Sequence, residues 1–234
     1  MATQTQLDSV LNDPMRIKTI RALALFDSPS EEAFDRLTRL ASRIVHAPVS
    51  LVSLVDNKRQ WFKSIVGLPE PWRSQRQTPL SHSFCQHVVA TNKPLVVSDS
   101  RQVDFLKDNM AIPDLNVIAY LGMPLTTKDG YGLGSFCVID GVPRDWTEDE
   151  IAMLEDLAAI TMALIDMRAE MIDMQKLGQS KLEARTNELK EVRARAGDDY
   201  RDVLEKVVTL LANHQPPELI TSFILSTPQY SIRR

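Results

Sequence analysis

Residues 53–64 read SLVDNKRQWFKS, with apolar residues on both sides of a polar segment at 56–59. Two runs rich in aliphatic and aromatic residues, 49–55 and 60–66, flank that segment, and this pattern is typical of a β-hairpin. In the first run, apolar residues occur at both alternating positions, which is typical of a strand covered on both faces. We therefore predict a hairpin whose first strand lies inside a sheet.

Three further apolar runs predict strands at 94–98, 117–125 and 133–139. The last two are separated by a short polar turn that contains glycine, so they are predicted to pair as a second hairpin. The intervening stretches 83–91 and 101–110 are predicted to be short helices or irregular crossovers. The pattern indicates a mixed chain, with hairpins separated by crossovers.

Two helices are predicted before the first hairpin, over 15–25 and from Ser28 to about residue 46. Ser28 is the predicted N-cap of the second helix, with Pro29 in its first turn. Apolar residues at three- and four-residue spacing predict the buried face of this helix: Phe34, Leu37, Leu40, Ala41 and Ile44.

A long helix is predicted from Thr147, which forms a capping box with Glu150. The chain has no proline from there to residue 215, so the segment is one helix or two in series, with a break at Gly197. Polar residues interrupt a coiled-coil spacing that is carried by four apolar residues: Leu154, Leu157, Leu164 and Met171. Nearly half of residues 170–206 are charged, with balanced signs, which favours a solvated helical rod.

Composition excludes several classes of partner. With 27 basic and 31 acidic residues the net charge is -4, which provides no electrostatic footprint for nucleic acid or an anionic membrane. No apolar run reaches the roughly 18 residues of a membrane span, and the first ten residues do not resemble a signal peptide. We therefore expect a cytoplasmic protein. Its two cysteines, Cys85 and Cys137, are too few for a disulfide scaffold, and small buried side chains are the favoured interpretation.

The hairpin at 53–64 resembles the first hairpin of bacterial GAF domains. Further segments that resemble the family follow in the family's order: 83–87 (SFCQH), 94–99 (PLVVSD), 104–109 (DFLKDN), 119–125 (AYLGMPL) and 133–140 (LGSFCVID). The resemblance covers roughly residues 15–168. It implies an α+β fold with an antiparallel GAF/PAS-like sheet of five or six strands, helices on one face, and a pocket under crossovers on the other face.

Four regions are predicted on this basis. Residues 1–14 form an N-terminal arm, 15–168 a GAF-like sensory domain, 169–212 a charged helical signalling extension with coiled-coil character, and 213–234 a proline-containing tail. Members of the family usually bind small molecules, cofactors or partners. They pass the result through terminal helices to an output module.

The resemblance does not identify the ligand, and the cofactor stays unknown. The Asn-Lys-Phe-Asp-Glu motif of nucleotide-binding GAF domains is absent, and Gln86 separates Cys85 from His87 where bilin-binding relatives have adjacent cysteine and histidine. A metal or haem at His82, Cys85 and His87 would lack a fourth ligand. We expect no metal site and find no catalytic constellation.

The predicted function is a sensory GAF-domain protein, not an enzyme, that binds a small molecule or partner and signals through its terminal helices. The resemblance places five residues in the ligand pocket: Phe62, Cys85, His87, Phe105 and Tyr120. A homodimer through the helix from Thr147 and an unidentified downstream signalling protein are the predicted partners. Two alternatives stay open, a thiol-based redox sensor or reductase that uses Cys85 and Cys137, and a ligand-free dimerisation module.

Overall fold

The structure is a computed structural model that describes residues 3–195 and 198–226. The chain divides into two compact units, Met1–Ala169 and Glu170–Arg234. The predicted break at Gly197 and residues 227–234 of the predicted tail lie outside the described residues.

The first unit is built on a six-stranded antiparallel sheet, which confirms the predicted fold class. In chain order the strands are β1 (Val49–Val55), β2 (Arg59–Val66), β3 (Gln77–Pro79), β4 (Leu95–Val97), β5 (Ala119–Thr126) and β6 (Gly132–Asp140). Their order across the sheet is β3-β2-β1-β6-β5-β4. Both predicted hairpins are present, β1 with β2 and β5 with β6. The sequence did not predict β3, because the polar and proline-containing stretch Gln77–Pro79 has no apolar run to mark a strand.

Seven helices of the described chain begin in the first unit: α1 (Gln4–Leu11), α2 (Pro14–Ala22), α3 (Glu32–Ile44), α4 (Trp72–Gln75), α5 (Cys85–Thr91), α6 (Ala111–Leu115) and α7 (Glu148–Arg195). Helix α7 continues into the second unit, which also contains α8 (Asp198–Ala212) and α9 (Pro217–Ser226). No helix within residues 3–195 and 198–226 has the length and apolar character that crossing a membrane requires.

The sheet carries one hydrophobic core on each face. We name the faces after their helices: the α7 face is covered by α2, α3 and the first turns of α7, and the α5 face by α1, α5 and α6. In β1, Val52 and Leu54 belong to the core of the α7 face, whereas Leu51 and Val55 belong to that of the α5 face. This confirms the predicted strand with two apolar faces, because successive side chains of a strand point to opposite sides.

Helix α3 differs from its prediction at both its start and its buried face. It begins at Glu32, and Ser28 does not cap it, because the Ser28 hydroxyl donates to the carbonyl of Leu25 at 2.7 Å. Leu40 and Ile44 are 44% and 42% exposed, so the prediction that they are buried is wrong. A hydrophobic pattern with two apolar rows does not reveal which row faces the sheet.

The row of α3 that does face the sheet contains Phe34, Thr38 and Ala41, all of which are buried. Thr38 and Ser64 of β2 share a hydrogen bond of 2.7 Å, and the Ser64 hydroxyl also donates to Asp35 at 2.6 Å. Because these side chains satisfy one another's hydrogen bonds, burying a threonine at the centre of this face costs little free energy of folding.

Helix α7 begins with the predicted capping box. The backbone N–H of Glu150 donates to the Thr147 hydroxyl at 3.2 Å, and the backbone N–H of Thr147 donates to the Glu150 carboxylate at 2.9 Å. This reciprocal pair satisfies two backbone donors that a helix start otherwise leaves unpaired. The capping box therefore fixes where the long helix begins.

The apolar residues predicted to form a coiled-coil seam in α7 pack instead within their own unit. Leu154 and Leu157 are buried in the core of the α7 face, and Leu164 packs against that core. Of the four predicted seam residues only Met171 is exposed, at 56%. Leu154 and Leu157 are therefore covered within their own unit and not available as seam residues, whereas Leu164 is partly buried; a dimer through this helix stays a prediction.

An ion-pair cluster connects α7 to β2. The Glu31 carboxylate accepts hydrogen bonds from Lys63 Nζ of β2 at 2.6 Å and from Arg168 Nη1 of α7 at 2.7 Å. Lys63 is fully buried, and its ammonium also donates to Ser28 Oγ and to the carbonyl of Pro29. All three hydrogen atoms of the buried ammonium can therefore be satisfied, and Glu31 supplies its countercharge.

Candidate functional site

The five predicted pocket residues line two separate cavities on the α5 face. Phe62, Cys85 and Tyr120 line an inner cavity of about 20 Å³. His87 and Phe105 line an outer cleft of about 410 Å³. Helix α5 contributes to both, since Cys85 faces the inner cavity and His87 the outer cleft. The predicted set is therefore divided between two sites, because two side chains on one short helix can point in different directions.

The inner cavity lies inside the core and is mainly apolar. Its walls come from β1, β2, β5, β6, α5 and α6, and include Leu51, Leu68, Val117 and Ile139. A volume of about 20 Å³ admits one or two molecules of the size of water and is too small for an organic ligand. In this conformation the inner cavity cannot hold a typical small-molecule ligand, which needs several hundred Å³.

Two thiols meet at the wall of the inner cavity. Cys85 Sγ of α5 and Cys137 Sγ of β6 are 3.9 Å apart, and both residues are buried. The Tyr120 hydroxyl lies 3.3 Å from Cys85 Sγ, to which it donates, and 3.1 Å from Ser135 Oγ. The sequence alone left open whether the two cysteines are close enough to react. The fold places them in contact.

The two thiols differ in acidity. Burial raises the pKa of Cys85, but the neighbouring Cys137 thiol, and then the Ser53, Tyr120 and Ser135 hydroxyls, outweigh this effect and lower it to about 7. Burial raises the pKa of Cys137 well above its ordinary value, and the neighbouring Cys85 raises it further. The first proton to leave the pair is therefore that of Cys85.

A glycine permits the position of Tyr120. Gly122 follows Tyr120 by two residues on β5, so the two positions share one face of the strand. A Cβ atom at residue 122 would overlap the Tyr120 hydroxyl. Only glycine leaves room for the phenol to lie along the strand and reach Cys85.

Polar residues that the sequence did not single out hold the start of α5. Gln60 accepts a hydrogen bond from the Ser83 hydroxyl, and the Gln86 side chain donates to the carbonyls of Leu80 and Ser83, each at 2.9 Å. Gln60 and Gln86 are buried. The bond between Ser83 and Gln60 joins segments 23 positions apart, so no local motif predicts it, whereas the Gln86 bonds lie within residues 80–86. They fix the segment that presents Cys85 to the inner cavity.

The outer cleft lies between α1, α5 and residues 104–110. The ring of His87 meets that of Phe105 edge-on, with ring centroids 5.0 Å apart. Burial lowers the pKa of His87 to about 4, so this imidazole is neutral at neutral pH. Three acidic residues also line the cleft: Asp8, Asp104 and Asp108. The combination suits a neutral or cationic ligand better than a phosphate.

The local group of His82, Cys85 and His87 does not converge on one point. His82 Nε2 lies 2.9 Å from Asp114 and its Nδ1 lies 3.0 Å from the Ser81 hydroxyl, while Cys85 and His87 point into different cavities. Within the described parts of the chain, no group of three or more His, Cys, Asp or Glu side chains is arranged to hold a metal ion.

Comparison with known proteins identifies the family. The GAF domain model matches residues 29–165, which is more than half of the chain. A cyclic di-GMP phosphodiesterase of Pseudomonas aeruginosa is 34% identical over 145 residues, which are 61% of this chain and 24% of that protein. This chain therefore spans about a quarter of the length of that relative.

Solved structures resemble the fold. A domain of a protein described as a two-component sensor histidine kinase from Sinorhizobium meliloti matches with a TM-score of 0.50 and 20% identity, over 62% of this chain and 97% of that one. The GAF domain of an Acinetobacter phosphoenolpyruvate-protein phosphotransferase has a TM-score of 0.49 and 18% identity, over 66% of this chain and 94% of that one.

Proposed function

This chain belongs to the GAF domain family, and we propose that it is a sensory module that receives a small molecule on the α5 face and signals through α7. One observation carries the proposal. Leu154, Leu157 and Ile165 of α7 are buried in the core of the α7 face, on the sheet that also forms the floor of the α5 face, while the same helix continues beyond residue 169 to Arg195. A ligand that alters the packing of that core favours one arrangement of α7 over another. In this way, ligand binding can change the signal that α7 transmits.

The outer cleft is the proposed ligand site. Its volume of about 410 Å³ is within the usual range for small-molecule pockets, whereas the inner cavity of about 20 Å³ is not. The His87 and Phe105 rings provide an apolar wall, and the neighbouring carboxylates favour a neutral or positively charged ligand. Of the five residues predicted from the family resemblance, these two are the ones we propose for ligand contact.

A regulatory role fits better than a catalytic one. The Pseudomonas aeruginosa relative is named as a cyclic di-GMP phosphodiesterase, and the match covers only a quarter of it. This supports a part in signal transduction, and we propose an unidentified downstream signalling protein as the partner. The two free thiols fit the reducing cytoplasm, which we propose as the compartment.

The proposed ligand site is tested by native mass spectrometry of the full chain purified from its own host. We expect a noncovalent mass that is released on denaturation and that Phe105→Ala abolishes, because the ligand loses its aromatic wall. Val142→Ala is the matched control, since Val142 is exposed and is not among the residues that line either cavity. A bound mass that survives in Phe105→Ala would place the ligand elsewhere, and no bound mass at all would favour the ligand-free dimerisation module.

A second copy of this chain is the proposed partner of α7, through a surface that shares only Met171 with the seam that the sequence suggested. Met153, Ile160 and Met167 are exposed in the first unit and are seven residues apart, a spacing that suits a coiled-coil contact between identical helices. In the second unit, Met171 and Met174 are also exposed apolar residues of α7. We propose that these methionines and Ile160 form the dimer contact.

The dimer is tested by light scattering after size exclusion. Ile160→Glu places a charge in the proposed contact, so we expect the wild-type dimer to become monomeric. Met15→Glu is the control, because Met15 is equally exposed but lies on α2. A wild-type chain that is monomeric, or an Ile160→Glu variant that stays dimeric, would remove α7 as the dimer contact.

A further inference from the structure

The α5 face encloses a dithiol that ligand binding in the outer cleft does not use. Cys85 and Cys137 are in contact at the wall of the inner cavity, with Tyr120 and Ser135 beside them. We propose that Cys85 and Cys137 form a reversible disulfide when a small peroxide enters the inner cavity, and that this reaction is a second input of the module. The chemistry stands on the geometry of the pair, whereas its role as an input rests on the proposed sensory function.

The distance between the sulfurs fits this reaction. At 3.9 Å the two Sγ atoms are in van der Waals contact, and forming the bond requires an approach of about 2 Å. Cys85 is the first residue of a short helix, and Cys137 lies within a central strand, so α5 is the element free to move. The bridge would join residues that are 52 positions apart in the chain.

The surroundings assign different roles to the two thiols. The Tyr120 hydroxyl donates to Cys85 Sγ, and a donated hydrogen bond stabilises a thiolate at that sulfur. The pKa of Cys85 is accordingly lowered to about 7, whereas that of Cys137 is raised. Cys85 is therefore the sulfur that attacks the oxidant, and Cys137 is the thiol that completes the bridge.

The size of the cavity selects the oxidant. Both thiols line a space of about 20 Å³, which is enough for hydrogen peroxide and too small for glutathione disulfide. In the reaction, the Cys85 thiolate attacks one oxygen of the peroxide and breaks the O–O bond. This gives a sulfenic acid on Cys85 and a hydroxide ion, which takes up the proton that Cys85 had lost.

The Cys137 sulfur then attacks the sulfur of the sulfenic acid. The S–S bond forms, the S–O bond breaks, and the departing hydroxide takes the Cys137 proton. In sum, two thiols and one peroxide give one disulfide and two water molecules. A dithiol reductant reverses the change by thiol–disulfide exchange.

The bridge would change the α5 face in two ways. It would hold the start of α5 against β6 and deprive the Tyr120 hydroxyl of the thiolate to which it donates. His87 of the outer cleft lies two residues after Cys85 on the same helix, so fixing Cys85 also restricts one wall of that cleft. Oxidation and ligand binding would therefore act on a shared element.

The test begins with the reduced full chain exposed to hydrogen peroxide, then denatured and treated with N-ethylmaleimide. We expect an intact mass that has lost two hydrogen atoms and gained no maleimide, a peptide map that links Cys85 to Cys137, and full reversal by dithiothreitol. Glutathione disulfide should leave the folded chain unchanged. Two maleimide adducts after peroxide, or bridges only between chains, would overturn the proposal.

Three variants check the assigned roles. Cys137→Ser should accumulate a sulfenic acid on Cys85 that dimedone traps, whereas Cys85→Ser should show no reaction at Cys137. Tyr120→Phe retains both thiols, so it tests the proposal even if a cysteine variant fails to fold. We expect peroxide to oxidise Tyr120→Phe several-fold more slowly at pH 6, because a smaller fraction of its Cys85 is thiolate. An unchanged rate in Tyr120→Phe would contradict the role of the hydroxyl.

Amide hydrogen exchange separates this inference from the proposed function. If the bridge is an input, exchange in α7 differs between the reduced and oxidised chain. A bridge that forms without any change in α7 overturns the input role. If no bridge forms but Phe105→Ala still loses its ligand, the dithiol proposal is wrong and the proposed ligand-sensing function is unaffected.

Discussion

On the α7 face the sheet is covered by helices of 9 and 13 residues and by the first turns of a helix of 48, whereas on the α5 face it is covered by helices of 8, 7 and 5 residues. Long helices present continuous rows of side chains that fill the space above a sheet. Short helices joined by irregular segments leave gaps, and both the inner cavity and the outer cleft lie on that side. The α7 face is thus continuously packed, whereas the α5 face holds the two cavities.

The largest expected contrast uses neighbouring residues of β6. Phe136 belongs to the core of the α7 face and Cys137 to that of the α5 face, and both are fully buried. We expect Phe136→Ala to reduce the free energy of unfolding by about 3–5 kcal/mol, and Cys137→Ala by about 1 kcal/mol, because the second leaves a much smaller cavity. Urea unfolding at neutral pH measures both. Equal losses would show that the two faces contribute alike to stability.

A second prediction concerns the ion-pair cluster between β2 and α7. Glu31→Gln leaves the buried Lys63 without a countercharge, so we expect a loss of about 1–3 kcal/mol in the free energy of unfolding. Glu32→Gln is the matched control, since Glu32 is exposed and pairs only with Arg36 and Arg39 among the described residues. A control that loses as much as Glu31→Gln would mean that the pairing with Lys63 is not the cause.

The same cluster predicts the direction of a pH effect. Burial raises the pKa of Glu31. The hydrogen bond and charge of Lys63, and then those of Arg168, lower it by more, so the pKa of Glu31 in the folded chain lies below the ordinary 4.5. Because the pKa of Glu31 is lower in the folded chain than in the unfolded chain, the ionised carboxylate stabilises the fold at pH values above the unfolded pKa. This contribution is lost as the pH falls through the folded pKa. Acid unfolding of Glu31→Gln should therefore be less steep than that of the wild type.

A smaller effect is expected on the α5 face. Tyr120→Phe removes a buried hydroxyl that donates to Cys85, so we expect a loss of about 1 kcal/mol in the free energy of unfolding and a higher pKa for Cys85. The ultraviolet absorbance of the thiolate, followed during a pH titration, reports the second effect. Tyr131→Phe is the control, because Tyr131 lines neither cavity. If the pKa of Cys85 is the same in Tyr120→Phe as in the wild type, the Tyr120 hydroxyl does not stabilise the Cys85 thiolate.

The last prediction concerns the pH dependence of the reduced protein. The pKa of Cys85 is lowered from 9.0 to about 7, so the unfolded chain binds more protons than the folded one between these values, and stability rises with pH across this window. The raised pKa of Cys137 opposes the trend above the window. Urea unfolding of wild type and Cys85→Ser in reductant tests this. If the free energy of unfolding of the wild type rises with pH no more steeply than that of Cys85→Ser, the lowered pKa of Cys85 is contradicted.

Local patterns in the sequence predicted most of the first unit. Both hairpins, the two-faced β1 and the capping box at Thr147 follow from side-chain alternation and short-range hydrogen bonding, and the structure confirms them. The exceptions share a cause. Leu40 of α3 and Leu154 of α7 both lie on apolar helical rows, yet one is exposed and the other is covered by the sheet. Periodicity shows that a face is apolar, but not what will cover it.

The candidate site was predicted less completely. The family resemblance selected five residues, and all five line a cavity on the α5 face. It did not reveal that they belong to two cavities, nor that Gln60 and Gln86 hold the start of α5. The bond between Ser83 and Gln60 joins segments that come together only in the folded chain, so it leaves no spacing to detect.

By itself, the sequence determined five of the six strands, the long helix and the doubly covered β1, because side-chain direction along a strand or helix is set by the local backbone. Only the tertiary structure decided that Cys85 and Cys137, 52 positions apart, touch at 3.9 Å. It also decided that Leu154 faces its own sheet and that His87 turns away from Cys85. Contacts of this kind depend on how α5 and α7 pack across the sheet, which is a sum of many weak, distant interactions that no single segment encodes.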